Sequence, residues 1–405
     1  MAGQVESPYA WLRLGAALLL STIGGVGMWS VVVALPAVQA DFGVARGDAS
    51  LPYTLTMICF GLAGIVMGRL SDRFGILVPV AAGAVMLSLG YVVAGSARTI
   101  WQFALVQGLL IGVGSSATFA PLLADTSLWF DRRRGTAVGI VASGSYVAGA
   151  VWPPIVQHFI ETVGWRRTYL GIGIFCAASM LALAGVLRRR PPAAEVEPAP
   201  ASGPAGPGTA RPLGLSPRAL QILLVIAAVC CCVAMAMPQV HLVAYCGDLG
   251  HGAAHGAHML ALLLACGVVS RLTFGWISDR TGGLPTLLIG SGLQALALLL
   301  FLPFDGLVSL YAISALFGLV QGGIVPSYAM IVREYFSPRE AGARVATVMM
   351  ATVFGMALGG WLSGSIFDLT GSYRAAFING VLWNVLNLSI AVFLLQRAGR
   401  RLATA

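Results

Sequence analysis

The chain has 405 residues, of which 58% are hydrophobic and only 10% charged. A water-soluble domain carries about 25% charged residues, so an ordinary soluble surface is excluded and lipid becomes the expected solvent. The formal charge of +9 rests on 24 cationic residues, all arginine. They flank apolar runs, so they read as topology signals and imply no nucleic-acid partner.

Crossing a bilayer takes about 20 apolar residues in a helix. In chain order the sequence predicts twelve such spans, at 12–38, 50–71, 76–96, 100–124, 135–159, 167–187, 219–246, 256–277, 284–303, 307–331, 344–367 and 374–396. The first is too long for a signal-peptide core and lacks a clear cleavage site, so it counts as a span. Residues 188–218 open on Arg188-Arg189-Arg190 and continue rich in Pro, Ala and Gly. Such a stretch buries too little to offset its ordering entropy, and it is read as a flexible linker. The expected domains are a six-helix bundle over 12–187, the linker over 188–218, and a second six-helix bundle over 219–396. Alternating the spans from an internal N-terminus puts eighteen arginines inside and five outside. That bias places both termini and the linker in the cytoplasm. The Ala, Gly and Arg usage suggests a bacterial inner membrane. The seven cysteines fall mainly within apolar runs without a metal-type pair, and are read as buried thiols.

After the second span the chain reads Gly68-Arg69-Leu70-Ser71-Asp72-Arg73-Phe74-Gly75, and after the eighth Gly275-Trp276-Ile277-Ser278-Asp279-Arg280-Thr281-Gly282. The two copies stand 207 positions apart, Asp72 to Asp279. Gly164-Trp165-Arg166-Arg167 and Gly371-Ser372-Tyr373-Arg374 keep the same offset. Twelve spans with this doubled phrase resemble the major facilitator superfamily over essentially the whole chain. The resemblance implies an all-α polytopic membrane protein, with two six-helix pseudo-repeat bundles around a central cavity. It also implies that Asp72, Arg73, Asp279 and Arg280 latch one access state by bonding across the halves.

Arg271, in the eighth span, is the one arginine that topology does not explain. It lies eight residues before Asp279, hence about 12 Å inside the helix end. The fifteen acidic residues all map to loops or span ends. A mid-membrane cation without a protein counter-ion is expected to face a cavity and bind an anion, and a planar guanidinium suits a carboxylate. His241, three residues after the helix-bending Pro238 in span seven, is the candidate proton-coupling group.

The Arg in span eight, WFDRRRGTAVGI and GWRRTYLGIG together resemble the monocarboxylate transporters and the related oxalate/formate antiporters. In those families the matching arginine contacts the substrate carboxylate, which implies that role for Arg271. The sequence departs from them in three places, one being the first span, where Gly24-Gly25-Val26-Gly27-Met28-Trp29 stands in place of their acidic-Gly-Gly-Trp phrase. Gly267 stands where animal members carry an acid, and span eleven holds no lysine and only a terminal Arg344. One central cation favours a monoanion over a dianion. On helices that line the superfamily cavity, Ser116, Thr118, Gln321 and Tyr328 are further substrate-binding candidates, with Ser115 beside them. Trp29, Phe119 and Phe354 are candidate walls.

His251, His255 and His258 form a loop cluster in a Gly-rich segment, and no metal is expected there. No phosphate-cradling loop, nucleophile elbow or HExxH is present, so neither an enzyme nor a cofactor is expected. The expected function is secondary transport of small monocarboxylates such as lactate or pyruvate, coupled to protons by alternating access. The alternatives are an organic-anion exchanger of the oxalate/formate type and a non-transporting sensor on the same scaffold. The expected partners are a small carboxylate anion, a proton and the bilayer, with the chain working as a monomer.

Overall fold

A computed structural model of the chain describes residues 6–130, 132–189 and 212–402. Among the described residues there is no strand, and twelve helices are long and apolar enough to cross a membrane. They are α1 (Pro8–Phe42), α2 (Arg46–Phe74), α3 (Leu77–Gly95), α4 (Ile100–Thr126), α5 (Gly135–Val163), α6 (Trp165–Leu187), α7 (Pro217–Asp248), α8 (Ala253–Thr281), α9 (Gly283–Leu300), α10 (Leu307–Tyr335), α11 (Glu340–Thr370) and α12 (Tyr373–Ala398). Each corresponds to one predicted span, and most run longer. Hydropathy marks the hydrocarbon, whereas the backbone stays helical past it until a cap intervenes. Thus α1 starts after Ser7, whose Oγ accepts from the Ala10 amide, with Pro8 at the first helical position. Likewise α7 starts at Pro217 after the Ser216 cap, within the predicted linker. Residues 190–211 of that linker lie outside the described residues.

Packing repeats between the halves. In the first, α3 packs on α6, α2 on α4 and α1 on α5; in the second, α9 packs on α12, α8 on α10 and α7 on α11. These are the same pairs advanced by six helices, so the doubled phrase reflects a doubled bundle. The halves meet along α2 with α11 and α5 with α8. The α2–α11 seam is close because Gly364 has no side chain. A Cβ there would stand 2.9 Å from the Arg46 carbonyl oxygen, and such small residues let membrane helices approach at backbone distance.

Three spans are interrupted. α1 breaks at Gly25, between Pro8–Gly24 and Val26–Phe42. α4 passes through a π-helical stretch, Gln107–Gly112, and bends before Ala120. α10 breaks at Gly322 and Gly323, between Gln321 and Ile324. The α4 and α10 breaks occupy matching places in the two halves. Irregular backbone at membrane depth is tolerated where it is buried or lines a cavity.

Candidate solute site

Between the halves lies a cavity of about 170 Å³. α1 contributes Met28 and Trp29, α2 Tyr53, Met57 and Phe60, and α5 Ser145 and Tyr146. From the second half, α7 contributes Cys232, Met235 and Gln239, α8 Leu264, α10 Val325, and α11 Thr352, Val353 and Met356. A second space of about 260 Å³ shares Phe60 and Val353 with it. Gly64 and Ile65 on α2 and Ala346 and Met349 on α11 carry this second space toward the end of the molecule that holds Arg73, Arg280 and Arg333. The path from the centre therefore leads to the arginine-rich end.

Arg271 sits on α8 at the α5–α8 seam, half-buried. Its Nη1 donates to the Ala142 carbonyl at 3.4 Å, and its guanidinium carbon stands 5.1 Å from the centre of the Tyr146 ring. None of the ion pairs among the described residues involves it. Gly267, one turn before Arg271, explains the arrangement. A Cβ at Gly267 would meet the Tyr146 ring at 2.6 Å, so the missing side chain is what admits the ring beside the arginine. Beside the guanidinium this chain places an aromatic face.

At the opposite end the halves are tied together. The Arg46 Nη1 donates to the Tyr373 hydroxyl at 2.6 Å and to Asp248 Oδ2 at 3.1 Å, and Nη2 donates to Asp248 Oδ1 at 3.2 Å. The backbone amides of Arg46 and Gly47 donate to the two carboxylate oxygens of Asp368, at 2.8 and 2.6 Å. The guanidinium also lies over the Phe367 ring, 4.8 Å from its centre. One residue at the start of α2 thus holds the ends of α7, α11 and α12.

His241 is buried directly beneath this tie. Its Nε2 lies 2.8 Å from the Gly360 carbonyl and its Nδ1 3.2 Å from the Tyr373 hydroxyl. A carbonyl only accepts, so Nε2 carries a proton. The Tyr373 oxygen already receives Arg46, and its own proton is free to go to Nδ1. A neutral imidazole completes this chain of donors.

The other candidates are dispersed. Gln321 is buried and accepts from the cavity-lining Gln239 at 2.6 Å. Ser116 lines the second space, with its hydroxyl donating to the Val113 carbonyl. Thr118 is buried in α4 and donates to the Ser115 carbonyl. Tyr328 donates to Asn387 Oδ1 at 2.9 Å, in a network with Ser291 and Asn384 that joins α9, α10 and α12. Trp29 lines the central cavity, Phe119 the second space, and Phe354 is exposed.

Among the phrase residues, Arg73 stacks on Phe74 and Arg280 on Trp276. Neither these two nor Asp72 and Asp279 have a hydrogen bond across the halves among the described residues. Of the expected loop cluster only His251 lies in the loop, where it bonds the Asp305 carbonyl; His255 and His258 fall in the first turns of α8, and His255 meets the Tyr311 hydroxyl. No group of three metal-ligating side chains is arranged for a metal among the described residues.

Sequence reasoning missed Arg46, Tyr146 and the methionine walls. Arg46 reads as an ordinary flank of span two, and the inner faces of apolar helices look like any other apolar face.

A duplicated bundle around a central cavity, open to one end and tied at the other, is the architecture of a solute carrier. The Major Facilitator Superfamily model matches residues 17–314 and 272–404, and the chain belongs to that superfamily, as an integral membrane protein. It is 29% identical to monocarboxylate transporter 11 of Mus musculus, over 93% of this chain and 85% of that protein. It is 29% identical to monocarboxylate transporter 13 of Bos taurus, over 77% and 72%, and 26% identical to the MFS-type transporter opdF of Penicillium oxalicum, over 98% and 92%. Among solved structures, the fold matches the peptide transporter POT with a TM-score of 0.76 at 13% identity, covering 97% of this chain and 95% of that one. A bacterial homolog of the human lysosomal transporter Spinster, inward-facing and occupied, matches with a TM-score of 0.74 at 16% identity, covering 97% of each chain.

Proposed function

We propose that the chain is a secondary carrier of monocarboxylates that couples their movement to protons by alternating access. Arg271 carries this reading. It is a guanidinium about 15 Å inside its helix, at the seam between the halves, with no acidic partner among the described residues. An intramembrane cation left in that state marks a substrate path, and its planar fork matches a carboxylate. The similarity to monocarboxylate transporters supports the same substrate class.

The positive-inside rule puts the arginine-rich end and both termini in the cytoplasm of a plasma membrane. The path to that end then makes this the inward-open state, closed outside by Arg46. The bundles over 12–187 and 219–396 rock about the cavity, tethered by 188–218. Asp72, Arg73, Asp279 and Arg280 close the cytoplasmic end when the outer end opens. His241 takes the proton, and its neutral form here suits a carrier that has already released it.

In proteoliposomes, uptake of a labelled monocarboxylate is expected to follow an inward proton gradient, and Arg271→Ala to reduce it at least a hundredfold. Full uptake in that variant would remove Arg271 from the site. Strong counterflow with indifference to the proton gradient would assign anion exchange instead.

A further inference from the structure

The walls of the cavity say more about the solute than its charge does. Four of the lining residues are methionines, Met28, Met57, Met235 and Met356. Most of the polar groups beside them are already committed. The Ser145 hydroxyl donates to the Ala142 carbonyl, Thr352 to the Met349 carbonyl, the Trp29 indole to the Ser145 carbonyl, and Gln239 to Gln321. Among the described residues, the lining hydroxyls without a hydrogen bond are those of Tyr53 and Tyr146. A short hydroxy-acid would therefore place its methyl group in a space far too large for it, with two donors at most to meet its oxygen.

We infer that the solute is a monocarboxylate with an apolar tail of about phenyl or branched-alkyl size, held by its carboxylate on Arg271 and by its tail among the methionines. This rests on the carrier reading above. A cavity of 170 Å³ is close to the ~150 Å³ apolar cavity that accepts benzene in an engineered protein. Methionine walls adapt to branched or flat tails because the thioether stem is unbranched and polarisable. Tyr146 touches both regions, since it lines the cavity and its ring lies beside the Arg271 guanidinium. Arg271 does not itself line the cavity, so a carboxylate held there would reach the apolar space past the Tyr146 ring. The Tyr146 hydroxyl suits an oxygen next to the carboxylate, as in a 2-oxo acid.

The test is ligand-induced thermal stabilisation of the purified full chain in detergent, with four probes: lactate, pyruvate, 4-methyl-2-oxopentanoate and phenylpyruvate. Half-maximal stabilisation is expected at concentrations at least tenfold lower for the last two, because burying the larger tail adds apolar area. Met57→Phe and Met235→Phe, made separately so that one misfolded variant does not decide the matter, narrow the cavity and are expected to weaken phenylpyruvate several-fold more than pyruvate. Arg271→Ala is expected to abolish the response to all four. Equal responses to the four acids, or a preference for lactate that still depends on Arg271, would overturn the tail assignment and leave the carrier reading standing. Responses that survive Arg271→Ala, or none to any acid, would overturn both.

Discussion

At the scale of single residues, Gly267 and Tyr146 make Arg271 what it is. A side chain at Gly267 would evict the ring, and an acidic one would neutralise the guanidinium that the proposed substrate needs. His241 is the second residue whose setting matters. Its two nitrogens are both engaged, one by a carbonyl and one by a tyrosine hydroxyl that Arg46 also holds. A proton added at Nδ1 would leave two donors facing each other until Tyr373 turned its own proton elsewhere. The charged and titratable groups around the imidazole come from four helices: Arg46 and Tyr53 of α2, Asp248 of α7, Asp368 of α11 and Tyr373 of α12. His241→Gln keeps a donor and an acceptor but cannot take the proton. It is expected to retain counterflow within a few-fold while losing the acceleration of net uptake by an inward proton gradient. Unchanged gradient-driven uptake in that variant would place the proton elsewhere. Arg271 was legible from sequence because no loop position explains an arginine eight residues before Asp279. Tyr146 was not, because a tyrosine on an apolar helix looks the same whether it faces lipid, core or cavity.

At the scale of elements, α2 and α11 form the seam on which opening depends. Gly364 lets their backbones touch, and Arg46 and Gly47 fasten the end of that contact by donating backbone amides to Asp368. Removing the Arg46 side chain leaves Asp368 its amide donors but deprives Asp248 and Tyr373 of theirs. Arg46→Gln is therefore expected to loosen the outer closure without unfolding the bundle. A cysteine placed at Ser50, which is fully buried under the seam, reports this through its reaction with a membrane-impermeant maleimide. The labelling rate is expected to rise at least several-fold in the Arg46→Gln background, and an unchanged rate would show that the seam closes without the arginine. Hydropathy made the helices themselves readable, all twelve in order. Their interruptions were less so: Gly322-Gly323 is a visible break signal, whereas the π-helical Gln107–Gly112 has no sequence mark that separates it from ordinary helix.

At the scale of the whole molecule, the repeated phrase had a structural counterpart that goes beyond its own residues. Each packing pair of the first half recurs in the second, and the two seams between the halves exchange under the same shift of six helices. Asp72 and Asp279 were legible as a repeat, but what they bond cannot be read from a sequence, because pairing across the halves depends on which end is open. In this structure the one ion pair across the halves among the described residues is Arg46–Asp248, at the other end. The asymmetry that gives the chain its chemistry lies inside the symmetric frame, in one arginine and in a soft apolar chamber.

That chamber has a chemical vulnerability. Peroxide converts methionine to its sulfoxide, which is polar and chiral where the thioether was neither, and Met28, Met57, Met235 and Met356 all wall the same space. Mild oxidation is expected to inactivate uptake while leaving the helical content intact. Saturating substrate, by filling the space, is expected to slow that inactivation several-fold, and methionine sulfoxide reductase to reverse it. Peptide mapping would find the oxidised positions at these four residues. Inactivation at the same rate with the chamber filled would mean that the damage lies elsewhere.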